Sequence, residues 1–395
     1  MAKFGRHLRS EWLLDPAVTY LNHGTVGAPP RRVLVRQREI MDEIERQPAA
    51  FLYHEIDGVM GDVPAETTRT RQALAAVAPF LGAASDDLVF VDNITAGANA
   101  VLRSFPLGPG DEVAVTTLGY RGVTNAAAYA ARDRGAALRT IDVPGPGAGA
   151  EAISEAVVAG LTARTRILVV DHLSANSALI LPLADIAAAA HERGVRVFAD
   201  GAHVPGQIPL DIGALGVDWY AANLHKWAWA PRSCGVLWTA PEHQRGLHPS
   251  VISWGLDRGM AAEFDFLGTR DLSPFLTAPF AVELLDEFGF SDIVTYNHDL
   301  AYWAAGHVSD CWETPFSTPE AMIGAMATVA VPARLGATAD DARRLRQQLA
   351  DVGIDVPVAV ASDGLTMRLS AQIYCDRDDF ARLADAVVAL RSAPR

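Results

Sequence analysis

From about residue 66 to about residue 240 the chain alternates between helical periodicity and short apolar runs. "RTRQALAAVAPFL" has helical spacing and is followed by the apolar run "DLVFVDN". The pattern repeats through "TAGANAVLRSF" and "DEVAVTT", "TNAAAYAARDRG" and "ALRTIDV", "EAISEAVVAGL" and "RILVVDHL", and "LADIAAAAHERG" and "VRVFAD". Gly135 and Gly194 close two of the helices as C-caps. "VDWYAAN" and "CGVLWT" are further strands on either side of residue 226. Helices between successive apolar strands imply a mainly parallel sheet covered on both faces, an α/β fold. In such sheets ligands sit outside the carboxyl ends of the strands. That rule singles out Asp92, Asn93, Thr116, Thr117, Asp171, His172, Asp200 and Asn223 before any motif is considered.

The C-terminal part changes character. "DARRLRQQLADVG" (341–353) is an amphipathic helix, "LTMRLSAQIY" (365–374) alternates like a strand, and "RDDFARLADAVVALR" is a final helix. The expected organisation is an N-terminal arm over 1–19, a large domain over 20–280 and a smaller α+β domain over 281–395. The Gly/Pro cluster "VPGPGAGAE" (143–151) reads as a surface loop.

A net charge of −14 argues against nucleic-acid backbones and anionic membrane surfaces as partners. Cys234, Cys311 and Cys375 form no CxxC pair and no disulfide framework, which fits a reducing compartment. "MAKFGRHLRSEWLLDPAV" lacks a signal-type apolar region, and no run of about 18 apolar residues occurs. The expectation is a soluble cytoplasmic protein acting on a small molecule.

Asp200 ends an apolar strand and precedes "GAH"; alone it reads as a helix N-cap or as a functional carboxylate. Lys226 follows in "AANLHKWAWAP", a lysine among His225, Trp227 and Trp229. An apolar site disfavours the ammonium and leaves a nucleophilic amine. A Schiff-base lysine and a carboxylate that keeps a pyridine nitrogen protonated are the two fixed requirements of pyridoxal 5'-phosphate. "DNITAGANAV" (92–101) lies between a strand and a helix and offers small residues for a phosphate cradle. "TTLGYRGVTNA" (116–126) offers Tyr120, a ring stacker or a lid over the core.

"FADGAHVPG", "AANLHKWAWAP", "NITAGAN", "LGTRD" and "MRLSAQIYC" together resemble the class V aminotransferase family of fold type I pyridoxal phosphate enzymes. "TYLNHGTVGAPP" and "MIGAMATVAVP" are similar to its isopenicillin N epimerase-like branch. The resemblance runs from about residue 18 to 376. It implies a fold type I large domain with a smaller C-terminal domain, and Lys226 as the residue that bonds the cofactor. It further implies that Asp200 pairs with the pyridine nitrogen, Tyr120 stacks on the ring, and His203 hydrogen-bonds the phenolate oxygen or stacks nearby. Thr95 and Ala96 would hold the phosphate, with Asn223 and His225 adding contacts. Thr269 of "GTRD" would reach the phosphate of a partner subunit, making a homodimer with shared sites. Arg368 of "MRLS" would grip the substrate carboxylate by a bidentate fork. Ser174 and Asn176 fall where the family contacts a cofactor oxygen, although "LSANSAL" departs from the family's pattern. His23 of "LNHG" either borders the substrate or packs the loop, and Arg270 reads as structural.

His7, His54, His191, His243, His248, His298 and His307 show no metal-ligand spacing, so no metal is expected. No GxGxxG with a following acidic residue supports a dinucleotide enzyme. A non-catalytic scaffold would have dispensed with Lys226 or Asp200. The family's desulfurases carry a sulfur-accepting cysteine shortly before the carboxylate-binding arginine, and residues 312–367 contain none. The expected activity is abstraction of a Cα proton from an amino acid or amino-acid conjugate, epimerase-like. C–S β-elimination on a cysteine S-conjugate stands close beside it. Decarboxylating deamination comes next, with transamination and cysteine desulfuration last.

Overall fold

The computed structural model describes residues 3–392. Its main sheet has seven strands: β1 (Leu88–Val91), β2 (Glu112–Thr116), β3 (Ala137–Ile141), β4 (Thr165–Asp171), β5 (Arg196–Asp200), β6 (Trp219–Asn223) and β7 (Gly235–Thr239). Their order is β1-β7-β6-β5-β4-β2-β3. Only β7 runs against the others, pairing antiparallel with both β6 and β1. The physical reason is chain length. Parallel neighbours need a crossover of a dozen or more residues, and only residues 224–234 separate β6 from β7. Lys226 sits on this short return.

The two faces of the sheet follow the period-2 alternation of each strand. Val89, Val91, Val113, Val115, Ile167, Val169 and Phe198 pack in one cluster with Ala98, Val101 and Ala127 of the helices Ile94–Ser104 and Arg121–Asp133. Leu88, Phe90, Ala114, Leu168, Val170, Val197 and Ala199 face the other way into a larger core. That core also contains Ile153, Ile186, Leu74 and Leu285 from the helices on that side. The expectation of a mainly parallel α/β sheet with helices on both faces therefore holds, and the motif regions form the strands and helices read from the sequence.

The helices Arg31–Arg46, Pro48–Met60, Ser273–Phe288 and Phe290–Trp312 were not read from periodicity. Residues Ser273–Leu285 are largely buried on several sides, so this segment carries no single apolar stripe. The helix Ser273–Phe288 packs on Arg31–Arg46 and Arg69–Val77, and thus on the large sheet's layers. After Gly289 the chain turns into Phe290–Trp312, which packs on the final helix Arg377–Ser392.

A second, antiparallel sheet contains β8 (Met326–Ala330), β9 (Val358–Ala361) and β10 (Gly364–Ser370) in the order β9-β10-β8. The N-terminal segment ties the two sheets together. Thr19–Tyr20 pairs with Ile354–Asp355. The Trp12 ring packs edge-on against Trp229 at 5.7 Å and Tyr374 at 4.8 Å, and its Nε1–H donates to Ala28 O at 2.9 Å. No helix among the described residues is long and apolar enough to cross a membrane.

Candidate active site

The parallel strands deliver their last residues to one edge. Asp171 and Asp200 are register partners at the ends of β4 and β5, and Asp200 is also paired with Ala221 of β6. The Asp200 side chain is buried. Its Oδ1 accepts from Ala202 N–H at 2.9 Å, whereas Oδ2 is buried without a partner. Leaving a buried acceptor unpaired costs about 1–3 kcal/mol. Burial pushes the carboxyl up to about 6, against the opposing pull of the Ala202 N–H and Lys226. Asp171 is pushed well up by burial and by the neighbouring Asp200 charge.

Lys226 is one of two lysines in the whole chain, the other being Lys3. Its Nζ lies 3.1 Å from His203 Nε2. Burial, and then the charge of Arg368, lower its ammonium to about 8, while Asp200 and Asp171 pull the other way. His203 is buried and held well below the ordinary histidine value, first by burial and then by Lys226. The loop that carries Lys226 is clamped by the N-terminal turn. His23 Nε2 contacts Lys226 O at 3.1 Å, and its Nδ1 meets Tyr374 Oη at 2.9 Å. Gly27 makes the approach possible: at φ +69° a Cβ there would lie 2.1 Å from His225 O. His23 is therefore committed on both ring nitrogens, and burial lowers it to about 3.

Arg368, on β10, reaches this edge from the second sheet. Its Nη1 donates to Ala175 O and its Nη2 to Thr25 Oγ1 at 2.9 Å. Nε is buried without a partner, and no carboxylate among the described residues forms an ion pair with the group. Burial lowers the guanidinium to about 10. Such an uncompensated buried cation is a receptor for an anion. Gly24 lets the turn sit close, since a Cβ there would meet Met326 Sδ at 2.4 Å and Arg368 Cζ at 3.4 Å.

The cradle at 92–101 forms the start of the helix Ile94–Ser104. Asn223 Oδ1 accepts from Ile94 N–H at 2.9 Å, and Asn93 Oδ1 accepts from Ala96 N–H at 3.1 Å. Asn223 thus positions the helix end from β6. Thr95 and Ala96 line a cleft of about 310 Å³ together with Asp92, Asn99 and Arg270. Arg270 donates to Asp92 Oδ1 at 3.0 Å and lies over the Phe275 ring, while its buried Nε has no partner. His225 Nδ1–H donates to Cys234 O at 2.7 Å, and burial lowers the ring to about 4.

The other expected residues differ widely in burial. Tyr120 caps the helix Arg121–Asp133 and is 42 % exposed. Ser174 Oγ donates to Leu118 O at 3.1 Å and so braces the segment that leads to Tyr120. Asn176 is exposed, and its backbone oxygen accepts from Thr328 Oγ1 at 2.8 Å. Thr269 is exposed on the rim of a separate apolar groove.

The family model for Aminotransferase class-V matches residues 58–383. The chain belongs to the class V aminotransferase family. It is 31 % identical to the putative L-cysteine desulfhydrase 2 of Oryza sativa subsp. japonica, over 98 % of this chain and 86 % of that protein. It is 30 % identical to the isopenicillin N epimerase of Streptomyces clavuligerus, over 97 % of each. Among solved structures, the cystine C–S lyase C-DES in complex with its product cysteine persulfide superposes with TM-score 0.79 at 22 % identity, covering 96 % of this chain and 98 % of that one. A C-DES mutant with glycine covalently linked to its pyridoxal phosphate gives 0.78 at 22 % identity, covering 95 % and 97 %. The fold is therefore fold type I, and the protein is a pyridoxal phosphate-dependent enzyme of class V, similar to both lyases and an epimerase.

The residues present fit that cofactor. Asp200 Oδ2 is a buried acceptor awaiting a donor, as a protonated pyridine nitrogen would be. Lys226 would supply the amine.

Asp171, Thr25 and Trp227 shape the site in ways that the sequence alone did not assign. Asp171 was noted only as a strand-end residue, and its signal was its place one strand over from Asp200. Thr25 had none, and Trp227 was noted only as an aromatic beside Lys226, because the hydrogen bonds of both arise from contacts across the fold. The scarcity of lysine was a further, unused signal: the chain contains only Lys3 and Lys226.

Proposed function

We propose that this enzyme takes the Cα proton from a cysteine-type amino acid or cysteine S-conjugate and eliminates the sulfur substituent at Cβ. Bound pyridoxal phosphate supplies the electron sink that acidifies Cα–H. Lys226 accepts that proton as a neutral amine, the C–S bond breaks with its electron pair on sulfur, and the thiol leaves. The remaining three-carbon unit yields pyruvate and ammonia with water. Arg368 holds the substrate carboxylate, and Asp200 and His203 hold the ring. By pairing with the substrate carboxylate, the buried Arg368 cation would oppose its departure as CO₂ and so favour loss of the Cα proton.

The observation that carries this reading is that His203, whose ring lies within hydrogen-bond distance of the Lys226 amine, is already shared between Lys226 and Trp227. His23 is engaged on both nitrogens, His203 faces Lys226 and Trp227, and His225 donates to Cys234 O. Elimination needs one base, whereas epimerisation needs a second proton donor on the opposite face. The cysteines agree with release of free sulfur product. Burial drives the thiols of Cys234 and Cys375 upward, and Cys311 lies on the helix Phe290–Trp312 beside His307. Neither buried thiol, Cys234 nor Cys375, offers a thiolate to accept sulfur.

Epimerisation is the second reading, supported by the full-length similarity to isopenicillin N epimerase and by the exposed Tyr120 at the strand-end rim. The deciding experiment incubates the enzyme with L- and D-amino acids and cysteine S-conjugates in deuterated water. Elimination predicts thiol and pyruvate in equal amounts. Epimerisation predicts deuterium at Cα with inverted configuration and no pyruvate, and stoichiometric CO₂ would sink both.

We also propose a cytoplasmic homodimer with shared sites. Val251, Ile252 and Trp254 are exposed apolar side chains, and an apolar groove of about 580 Å³ lined by Met41, Phe51, Leu52 and Phe266 ends at Thr269. Burying such surface favours association.

A further inference from the structure

We infer that the Trp227 indole locks His203 in the tautomer with its proton on Nε2, so that the ring presents a permanent donor toward Lys226 and the cofactor pocket. An indole N–H can only donate. Trp227 Nε1 lies 3.4 Å from His203 Nδ1, and both side chains are buried. Nδ1 must therefore be the acceptor, and in a neutral ring the hydrogen goes to Nε2. That nitrogen is the one 3.1 Å from Lys226 Nζ. The contact is then His203 Nε2–H donating into the nitrogen lone pair that Lys226 offers whenever it is not an ammonium. The opposite assignment, an ammonium donating to Nε2, would put the ring proton on Nδ1 and turn it against the indole N–H.

The same contact resists protonation of His203. An imidazolium carries hydrogens on both nitrogens, and one would face the indole hydrogen. Burial of the ring acts first in the same direction, joined by the Arg368 charge on β10 and by any positive charge on Lys226 and His225 of the β6–β7 loop or on His23 of the N-terminal turn. Gln207 Nε2 donates to the His203 backbone oxygen at 2.7 Å and fixes the segment without touching the ring nitrogens. Trp227 is thus a positioning residue. It makes a titratable side chain behave as a fixed hydrogen-bond donor, whichever Cα reaction the enzyme performs.

The test uses the full-length holoenzyme labelled with ¹⁵N-histidine, with His203 assigned from the spectrum of His203→Gln. The expected result is an unprotonated Nδ1 and a protonated Nε2, unchanged between about pH 6 and pH 9. In Trp227→Phe the His203 signals should become pH-dependent, and the acid side of the kcat/KM profile should gain a limb absent from the parent. Trp227→Phe/His203→Gln should remove that limb, because glutamine offers a donor and an acceptor but no titration. A wild-type His203 protonated on Nδ1 would overturn the inference even if Trp227→Phe failed to fold. So would a folded Trp227→Phe whose His203 spectrum and pH profile match the parent.

Discussion

Asp171 and Asp200 stand side by side as register partners at the ends of β4 and β5, two buried carboxyl groups on adjacent parallel strands. Both are shifted upward, Asp171 by burial and the Asp200 charge, Asp200 by burial. The folded chain therefore binds these protons more tightly than the unfolded chain. The stability they contribute is complete at low pH and is lost as pH rises, for Asp200 between its ordinary 3.8 and about 6. Asp171→Asn keeps the shape and removes one titration. Its Tm should gain on the parent as pH rises from about 5 to about 8, and parallel Tm curves would contradict the pairing.

Asp200→Asn should behave differently. A neutral amide cannot stabilise a positive charge on the pyridine nitrogen, so kcat should fall by about 100-fold or more, on the scale of losing one preorganised electrostatic partner. Cofactor should still be retained, as read by its visible absorbance. Turnover equal to the parent would remove Asp200 from its assigned place.

Arg368 and Thr25 test the carboxylate site. Arg368→Lys replaces a fork by a point charge and should lower kcat/KM by about 10–100-fold, largely through KM, from the loss of about 1.5–3 kcal/mol of charged hydrogen bonding. Thr25 Oγ1 accepts from Arg368 Nη2, and its hydroxyl bonds Asn22, which donates to Asp355. Thr25→Ala should therefore raise KM by a few fold with kcat nearly unchanged, and Thr25→Ser should restore it. Equal KM values across the series would move the carboxylate elsewhere.

The shared-site dimer can be tested by mixing. Lys226→Ala and a Thr269→Ala variant, each of low activity alone, should regain activity on subunit exchange, because one composite site then combines an intact Lys226 with an intact Thr269. Trp254→Glu should shift the chain toward monomer and reduce activity with it. A fully active monomer in sedimentation at working concentration would exclude the arrangement.

The strands and helices around the cofactor pocket were legible because each is short, regularly patterned and bounded by its own punctuation, as "RVFAD" and "HERG" show. The antiparallel course of β7 was not, because an apolar run such as "CGVLWT" reads the same in either direction. Its sense is set by the short loop that carries Lys226. The helix Ser273–Phe288 escaped notice because it is buried on several sides and contains Pro279, which weakens any periodic reading. At the site, Lys226, Asp200 and Arg368 could be named because their chemistry is rare in apolar surroundings. His23 could not be placed, since only the tertiary contacts to Tyr374 and the Lys226 carbonyl reveal that both its nitrogens are occupied. The same holds for Thr25, whose partner Arg368 is 343 positions away in the chain.

Lys226 is proposed to carry the cofactor through its side-chain amine, and the proton transfer depends on that attachment. Borohydride reduction of the purified enzyme followed by peptide mass spectrometry addresses it directly, because the chain contains only Lys3 and Lys226. The account predicts one reduced pyridoxyl group per chain, on the peptide that contains Lys226, and none in Lys226→Ala. A pyridoxyl group on Lys3, or no borohydride-fixed cofactor on either lysine, would contradict it.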